Sequence, residues 1–250
     1  MYYLQFSGPI FAAINPDGDL AVSNGYLLIN NLVALVAYYL AAKVIDIPSI
    51  GRVRVQGIFF LLVSVVFLTM SQIFSSASPG LLMGLFFMSS FLGQFVNTTT
   101  YVMAAETYPT ELRGTLHGLS AFLGKAGALM ATVIFGTVDT PTIFLICGCV
   151  GLAGCIMTVV FSADMTHVSL AEHDAYLELF IENRSNEYKG KLNARQHLAL
   201  IDRLIGWHGD FDPEWAMKLV RKDRATHHQQ QNVAAIAEGV AASSTTTGST

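Results

Sequence analysis

The chain has 250 residues, 52% of them hydrophobic and 13% charged, with a net charge of -4 and a mean hydropathy of +0.48. A soluble domain carries roughly 25% charged residues, so this composition excludes an ordinary soluble globule and points to a polytopic, all-helical membrane protein. The charge is unevenly placed: residues 1–163 hold five Lys or Arg and six Asp or Glu, whereas residues 164–250 hold nine and twelve.

In chain order, MYYLQFSGPIFAAI at residues 1–14 is apolar, too short to span a bilayer alone, and without the basic start of a signal peptide. It reads as the end of a membrane helix whose beginning is missing. Asn15 to Asp19 (NPDGD) is a turn. Five long apolar runs then predict five full spans, at 21–44, 55–75, 81–105, 114–138 and 142–163. They are separated by a basic, Pro- and Gly-marked loop (45–54), a turn at Ser75 to Gly80, a polar hinge from Glu106 to Gly114, and a break at Asp139 to Pro141. Residues 1–163 are thus a membrane domain of five complete transmembrane helices and a partial one.

Lys and Arg set the orientation. Lys43, Arg52 and Arg54 flank the loop after the first span, Arg113 follows the third, and nine more lie in the tail after the fifth, while the intervening turns have none. By the positive-inside rule the basic loops and the tail are cytoplasmic. Within the tail, residues 164–225 carry amphipathic patterns: Leu170, Leu177, Phe180 and Ile181 on one face, and Leu198, Ile201, Leu204 and Ile205 on another. Asp212-Pro213-Glu214 is a helix start, and Trp207, Phe211 and Trp215 are expected to pack within a small subdomain. Residues 226–250, with His227 and His228 in a Gln-rich run and then Ala, Ser, Thr and Gly, predict a disordered end.

Glycines at 118, 124 and 127 and at 148, 151 and 154 predict close packing of the fourth and fifth spans. Cys147, Cys149 and Cys155 share one apolar run with no His, which reads as small buried side chains and not as a metal site. No nucleophile–base pair, phosphate-cradling loop or metal spacing is present, so neither an enzyme, a cofactor nor a nucleic-acid partner is expected.

Chemistry concentrates in the third and fourth spans. Ser90, Gln94, Asn97 and Tyr101 are spaced i, i+4, i+7, i+11 and share one helical face. A polar stripe in a membrane lines water or ligand, or binds another helix. Lys125 has about ten mostly apolar or small residues on either side. An ammonium at that depth costs roughly 2.5–3.5 kcal/mol on insertion scales and marks a functional site by default. His117, nearer the cytoplasmic end, reads as a structural hydrogen-bonding residue. In the hinge, Glu106 has Arg113, or Arg52 and Arg54 across the loops, as pairing partners that would latch the cytoplasmic side in one state.

The hinge AAETYPTELRGTLHG resembles the loop between the tenth and eleventh helices of major facilitator superfamily transporters, in the branch with sugar porters and phosphate:proton symporters. The combination NTTTY (Asn97 to Tyr101) with HGLSAFLGKAGA (His117 to Ala128), and GRVRVQ at Gly51 to Gln56, resembles the phosphate:proton symporter family. The resemblance covers residues 1–163 and implies the C-terminal half of such a transporter, moving inorganic phosphate with protons across the plasma membrane. The other six-helix half would be a partner. It carries over Asn97 and Lys125 as phosphate-site residues and Tyr3, followed by Gln5, as a site tyrosine. Departures are Phe95-Val96 where the family has Gly-Pro, and two extra residues between Asp46 and Gly51. Independently of the resemblance, a buried cation suits an anion and not a neutral sugar. A sugar or organic-ion carrier of the same branch, and a non-transporting anchor for the tail, remain the alternatives.

Overall fold

The computed structural model describes residues 20–47, 50–194, 197–206, 211–215 and 217–218. The partial first segment with Tyr3, the turn at 15–19, Trp207 and the tail beyond 218 lie outside the described residues. Five helices are long and apolar enough to cross a membrane: α1 (Leu20–Val44), α2 (Arg52–Ile73), α3 (Pro79–Thr107), α4 (Arg113–Phe135) and α5 (Thr140–Phe161). Each matches a predicted span, with ends shifted by a few residues. Asp139 does not break the chain so much as start α5: its carboxylate takes the Thr142 hydroxyl (2.8 Å) and backbone N–H (3.4 Å), and Pro141 occupies the first turn. No strand occurs among the described residues.

The residues group into two units, Met1–His167 with Gln196–Trp207, and Val168–Arg195 with His208–Thr250. In the first, α3 packs against α1 and α2, and α2 against α5, giving the spatial order α1, α3, α2, α5. Between helices in lipid the hydrophobic effect supplies little, so close packing holds them together. The α5 glycines do this: a Cβ on Gly148 would come within 2.6 Å of Leu68, one on Gly154 within 3.0 Å of Phe60, and one on Gly151 would overlap Ser64 Oγ. Two apolar cores fill the bundle. One is built on Met70, Met83, Phe86, Ile143 and Phe144, the other on Ala37, Ala41, Val55 and Phe95, with Phe59 stacked on Phe95 at 3.9 Å.

Helix α4 departs from the expectation of close packing. None of its residues is buried, and a Cβ on Gly118, Gly124 or Gly127 would meet nothing within 4 Å. The cysteines are corrected too: Cys149 is exposed, and Cys147 and Cys155 are only half-buried, because they alternate around a helix that has one covered face.

The second unit starts with α6 (Leu170–Ile181), capped by Ser169 Oγ, which accepts from Glu172 N–H at 3.2 Å. The predicted apolar face of this helix is mostly open, with Leu170, Phe180 and Ile181 exposed. What α6 buries instead is Glu172 and His173. The Glu172 carboxylate accepts from the Tyr188 hydroxyl (3.3 Å) and from the Lys191 backbone N–H, a local polar tie that periodicity does not register. Tyr188 is held edge-on between Tyr176 (4.9 Å) and Trp215 (5.2 Å), so Trp215 packs as expected while Phe211 is exposed. Burial, aided by the neighbouring Glu172 charge, pushes the Tyr188 phenol well above its usual pKa. Asp212 caps the helical turn at 213–215, its Oδ1 accepting from Glu214 N–H at 2.9 Å.

Candidate functional site

The polar stripe of α3 divides along its length. Ser90 and Gln94 are buried within the bundle, Asn97 is half-buried, and Tyr101 is exposed. Gln94 therefore serves Asn97: its Oε1 accepts from Asn97 Nδ2 at 3.4 Å. The same Nδ2 donates to the hydroxyl of Tyr38 on α1. Below this pair, Thr98, Thr99 and Thr100 return their hydroxyls to carbonyls one turn back, at 2.7–2.9 Å, so their polar groups are satisfied within the helix.

Helix α4 meets α3 near the hinge. The Tyr101 and His117 rings lie 6.0 Å apart and the Tyr108 hydroxyl is 2.5 Å from Ser120 Oγ. His117 makes this ring contact in place of the expected hydrogen bond; its Nδ1 is buried without a hydrogen-bonding partner. Lys125, two turns further on, is exposed, and no contact joins it to Asn97. Register nevertheless sets the two at similar depth. Asn97 lies 10 residues before the end of α3 and Lys125 lies 12 after the start of α4, or about 15 and 18 Å from the shared hinge at 1.5 Å per residue.

The second cluster sits where α2 begins. Arg52 Nη1 pairs with Glu106 Oε2 at 2.8 Å, and Nη2 lies 3.6 Å from Asp46 Oδ1; the Arg52 and Glu106 side chains are 12% and 24% exposed. Of the pairings open to Glu106, the structure forms this one. Arg113 instead donates to Tyr108 O (3.3 Å) and Thr110 Oγ1 (3.2 Å), holding the hinge, and Arg54, two residues after Arg52, is exposed. The start of α2 has no cap of its own. The chain after α5 supplies one: Arg52 N–H donates to Thr166 Oγ1 (3.0 Å), whose hydroxyl donates to Asp164. Asp164 is fixed in turn by His197, through Nδ1 to the Asp164 carbonyl (2.6 Å) and Asp164 N–H to the His197 carbonyl (3.0 Å). A carboxylate at a helix N-terminus also suits the macrodipole. Among the described residues no cluster of His, Cys, Asp and Glu has a metal-binding arrangement.

This arrangement of five membrane-length helices, with a polar stripe on α3 and a lysine midway along α4, agrees with the sequence comparison, in which residues 6–220 match the Major Facilitator Superfamily. The chain belongs to that superfamily. Among its curated relatives, "Probable inorganic phosphate transporter 1-9" of Arabidopsis thaliana is 35% identical over 150 residues, covering 51% of this chain and 28% of that protein. "Inorganic phosphate transporter PHO84" of Saccharomyces cerevisiae is 32% identical over 120 residues (48% and 20%), and the "Repressible high-affinity phosphate permease" of Neurospora crassa 32% over 107 (42% and 18%). The chain thus spans less than a third of the length of these relatives. No solved structure matches it.

For this major facilitator chain, the residues that pattern-reading missed are Tyr38, Asp164, Thr166 and His197. Tyr38 lies in an apolar run where an aromatic reads as a lipid-facing filler. Asp164 and Thr166 read as the first polar residues of a tail; the only hint was Gly51, which heads α2 in a backbone conformation (φ 75°) that calls for glycine.

Proposed function

We propose that this multi-pass membrane chain is the C-terminal half of a proton-coupled inorganic phosphate transporter, working with a six-helix N-terminal half. The observation that carries this reading is Lys125. It is the thirteenth of 23 residues in a membrane-length helix, some 15–18 Å from either end, beyond the reach of a lysine that snorkels to an interface. Such a cation is retained at bilayer depth when an anion or a second protein element meets it, and Asn97 stands at the same level on the helix before it. The open glycine face of α4 supports an occupant of α4 that is itself helical.

Phosphate as the anion is supported by the names of the relatives, and proton coupling by the resemblance in Asn97 to Ala128. In this reading Asn97, Lys125, Tyr101 and Tyr3 face the substrate, and Gln94 belongs to the site by holding the Asn97 amide. Arg52, Arg54, Glu106 and Arg113 form the cytoplasmic gate, which closes around the Arg52–Glu106 pair and reopens when it parts, as the halves rock about a midplane site. The tail is cytoplasmic, and the plasma membrane is the expected location.

The test is uptake of radiolabelled phosphate by cells expressing this chain together with a six-helix N-terminal half; the chain alone is expected not to transport. Lys125→Ala is expected to abolish uptake, with membrane insertion unchanged by protease accessibility of the loops. Normal uptake by that variant, or saturable uptake of a hexose in place of phosphate, would overturn the reading.

A further inference from the structure

Counting hydrogen-bonding capacity around Asn97 leads past the residues assigned so far. An asparagine amide has two N–H donors and one carbonyl oxygen; a tyrosine hydroxyl has one donor and accepts as well. In this structure Asn97 Nδ2 faces two acceptors, the Tyr38 hydroxyl and Gln94 Oε1. Both of its N–H groups are therefore committed inside the protein, and what Asn97 has left to offer is its carbonyl oxygen. Tyr38 has received a hydrogen bond and still has its own proton to give. The residue is 40% exposed, so it is open on one side of the α1–α3 pair.

We propose that Tyr38 is a substrate-contacting and specificity-determining residue: its hydroxyl donates to an oxygen of the bound anion, while its grip on the Asn97 amide turns the Asn97 carbonyl toward the same anion as an acceptor. The ligand that satisfies one donor and one acceptor side by side is a tetrahedral oxyanion that keeps a proton. Mono- and diprotonated phosphate and arsenate have an O–H for Asn97 Oδ1. Sulfate has the same shape and no proton at neutral pH, so it would set an oxygen against the Asn97 carbonyl, an unpaired and repulsive contact where water is scarce. Gln94 is the positioning residue of the set, since it occupies the second Asn97 N–H without facing the substrate. The site then reads the substrate's own proton with neutral groups, and Lys125 supplies the counter-charge.

This inference rests on the phosphate-transport reading, and the experiment separates the two. Inorganic phosphate binding is measured by calorimetry on this chain co-assembled with its N-terminal half in lipid nanodiscs, with arsenate and sulfate as competitors. The wild type is expected to bind phosphate, to be competed by arsenate, and to ignore sulfate at concentrations where arsenate competes fully. Tyr38→Phe keeps the ring and is expected to weaken phosphate binding about ten- to a hundredfold, the usual effect of losing a hydrogen bond to a charged group. It is also expected to let sulfate compete, because the released Asn97 amide is then free to present its N–H. A residue with only a packing role would lower the amount of folded protein and leave the phosphate-to-sulfate ratio alone. Unchanged phosphate affinity and unchanged sulfate exclusion in Tyr38→Phe, with binding lost in Lys125→Ala, would overturn the assignment of Tyr38 and leave the transport reading standing. Sulfate competing as well as arsenate in the wild type would overturn the assignment with no variant needed. Absence of phosphate binding in the wild type would overturn both.

Discussion

Replacing Gly51 by alanine tests the cap that the post-α5 chain places on α2. Gly51 has φ 75° and ψ 158°, in the region essentially reserved for glycine, so any Cβ there costs about 1–3 kcal/mol in backbone strain. That Cβ would also overlap Asp164 Oδ2, and Asp164 has no slack. Its Oδ1 accepts from Thr166 N–H at 3.0 Å and from the Thr166 hydroxyl, and its backbone is tied to His197. Relieving the clash moves Asp164 and Thr166 off the helix start, which removes a cap worth about 1 kcal/mol and a charge–dipole term of about 0.3–1 kcal/mol. The sum is about 2–5 kcal/mol for Gly51→Ala, read as a loss of unfolding free energy on titrating the detergent-solubilised protein with a denaturing detergent. The parts separate in a double-mutant cycle. Asp164→Ala removes the obstruction, so Gly51→Ala in that background should cost only the strain, and the two changes should couple by about 1–2 kcal/mol. Strict additivity would refute the claim that Asp164 is what Gly51 makes room for. A Gly51→Ala protein within about 0.5 kcal/mol of wild type would refute the whole argument from conformation.

Three further perturbations address other elements. Arg52→Glu or Glu106→Arg alone should each lower stability by about 2 kcal/mol, between the values for exposed and buried pairs, and the double swap should recover part of the loss in the same unfolding assay. Gly151→Leu should force α5 away from Ser64 and Phe60 of α2 at a cost of about 3 kcal/mol, seen as faster proteolysis of the 45–54 loop, whereas Gly124→Leu, whose Cβ meets nothing, should cost under about 1 kcal/mol within this chain. Tyr188 supplies the pH dependence. Its folded pKa is raised above the unfolded value of about 10, so the folded state holds the proton more tightly. The stabilisation is complete below about pH 10 and is lost as pH climbs from there toward the folded pKa. Denaturation followed by fluorescence of Trp215, edge-on to Tyr188, in a Trp207→Phe background should report that loss; an unfolding free energy that stays constant as pH rises above about 10 would contradict it.

The spans were legible because the membrane imposes a length and a hydropathy that any sequence must meet. That requirement fixes α1 to α5 to within a few residues at each end, and it places Asn97 and Lys125 at matching depths through simple counting from the hinge. It does not say which face of a helix is covered. Glycines 148, 151 and 154 and glycines 118, 124 and 127 look alike as strings, yet the first set is closed against α2 and the second is open. The stripe on α3 was readable as a stripe. Its division into a buried supporting residue, Gln94, and a half-open Asn97 depended on α1 packing beside it, a contact across about 60 residues that no local pattern encodes.

The same reasoning explains why the tail misled and the pairing of Glu106 did not. Charges at loop ends have few partners of opposite sign, so Glu106 against Arg52 was among a short set of pairings. A tail helix of 12 residues has no bilayer to enforce its apolar period, and the polar tie of Glu172 to Tyr188 and Lys191 outweighed the spacing of Leu170, Leu177 and Phe180. Where one solvent dictates the pattern, a period reveals the covered face; where local hydrogen bonds compete with it, a capping residue such as Ser169 is the better guide. Helix α4 lies between these cases. Its period fits a bilayer, while none of its residues is buried and its glycines are open. In the proposed reading the chemistry of Lys125 turns on the element that meets α4, and the measurements on Lys125→Ala and Tyr38→Phe probe α4 and the α1–α3 pair separately.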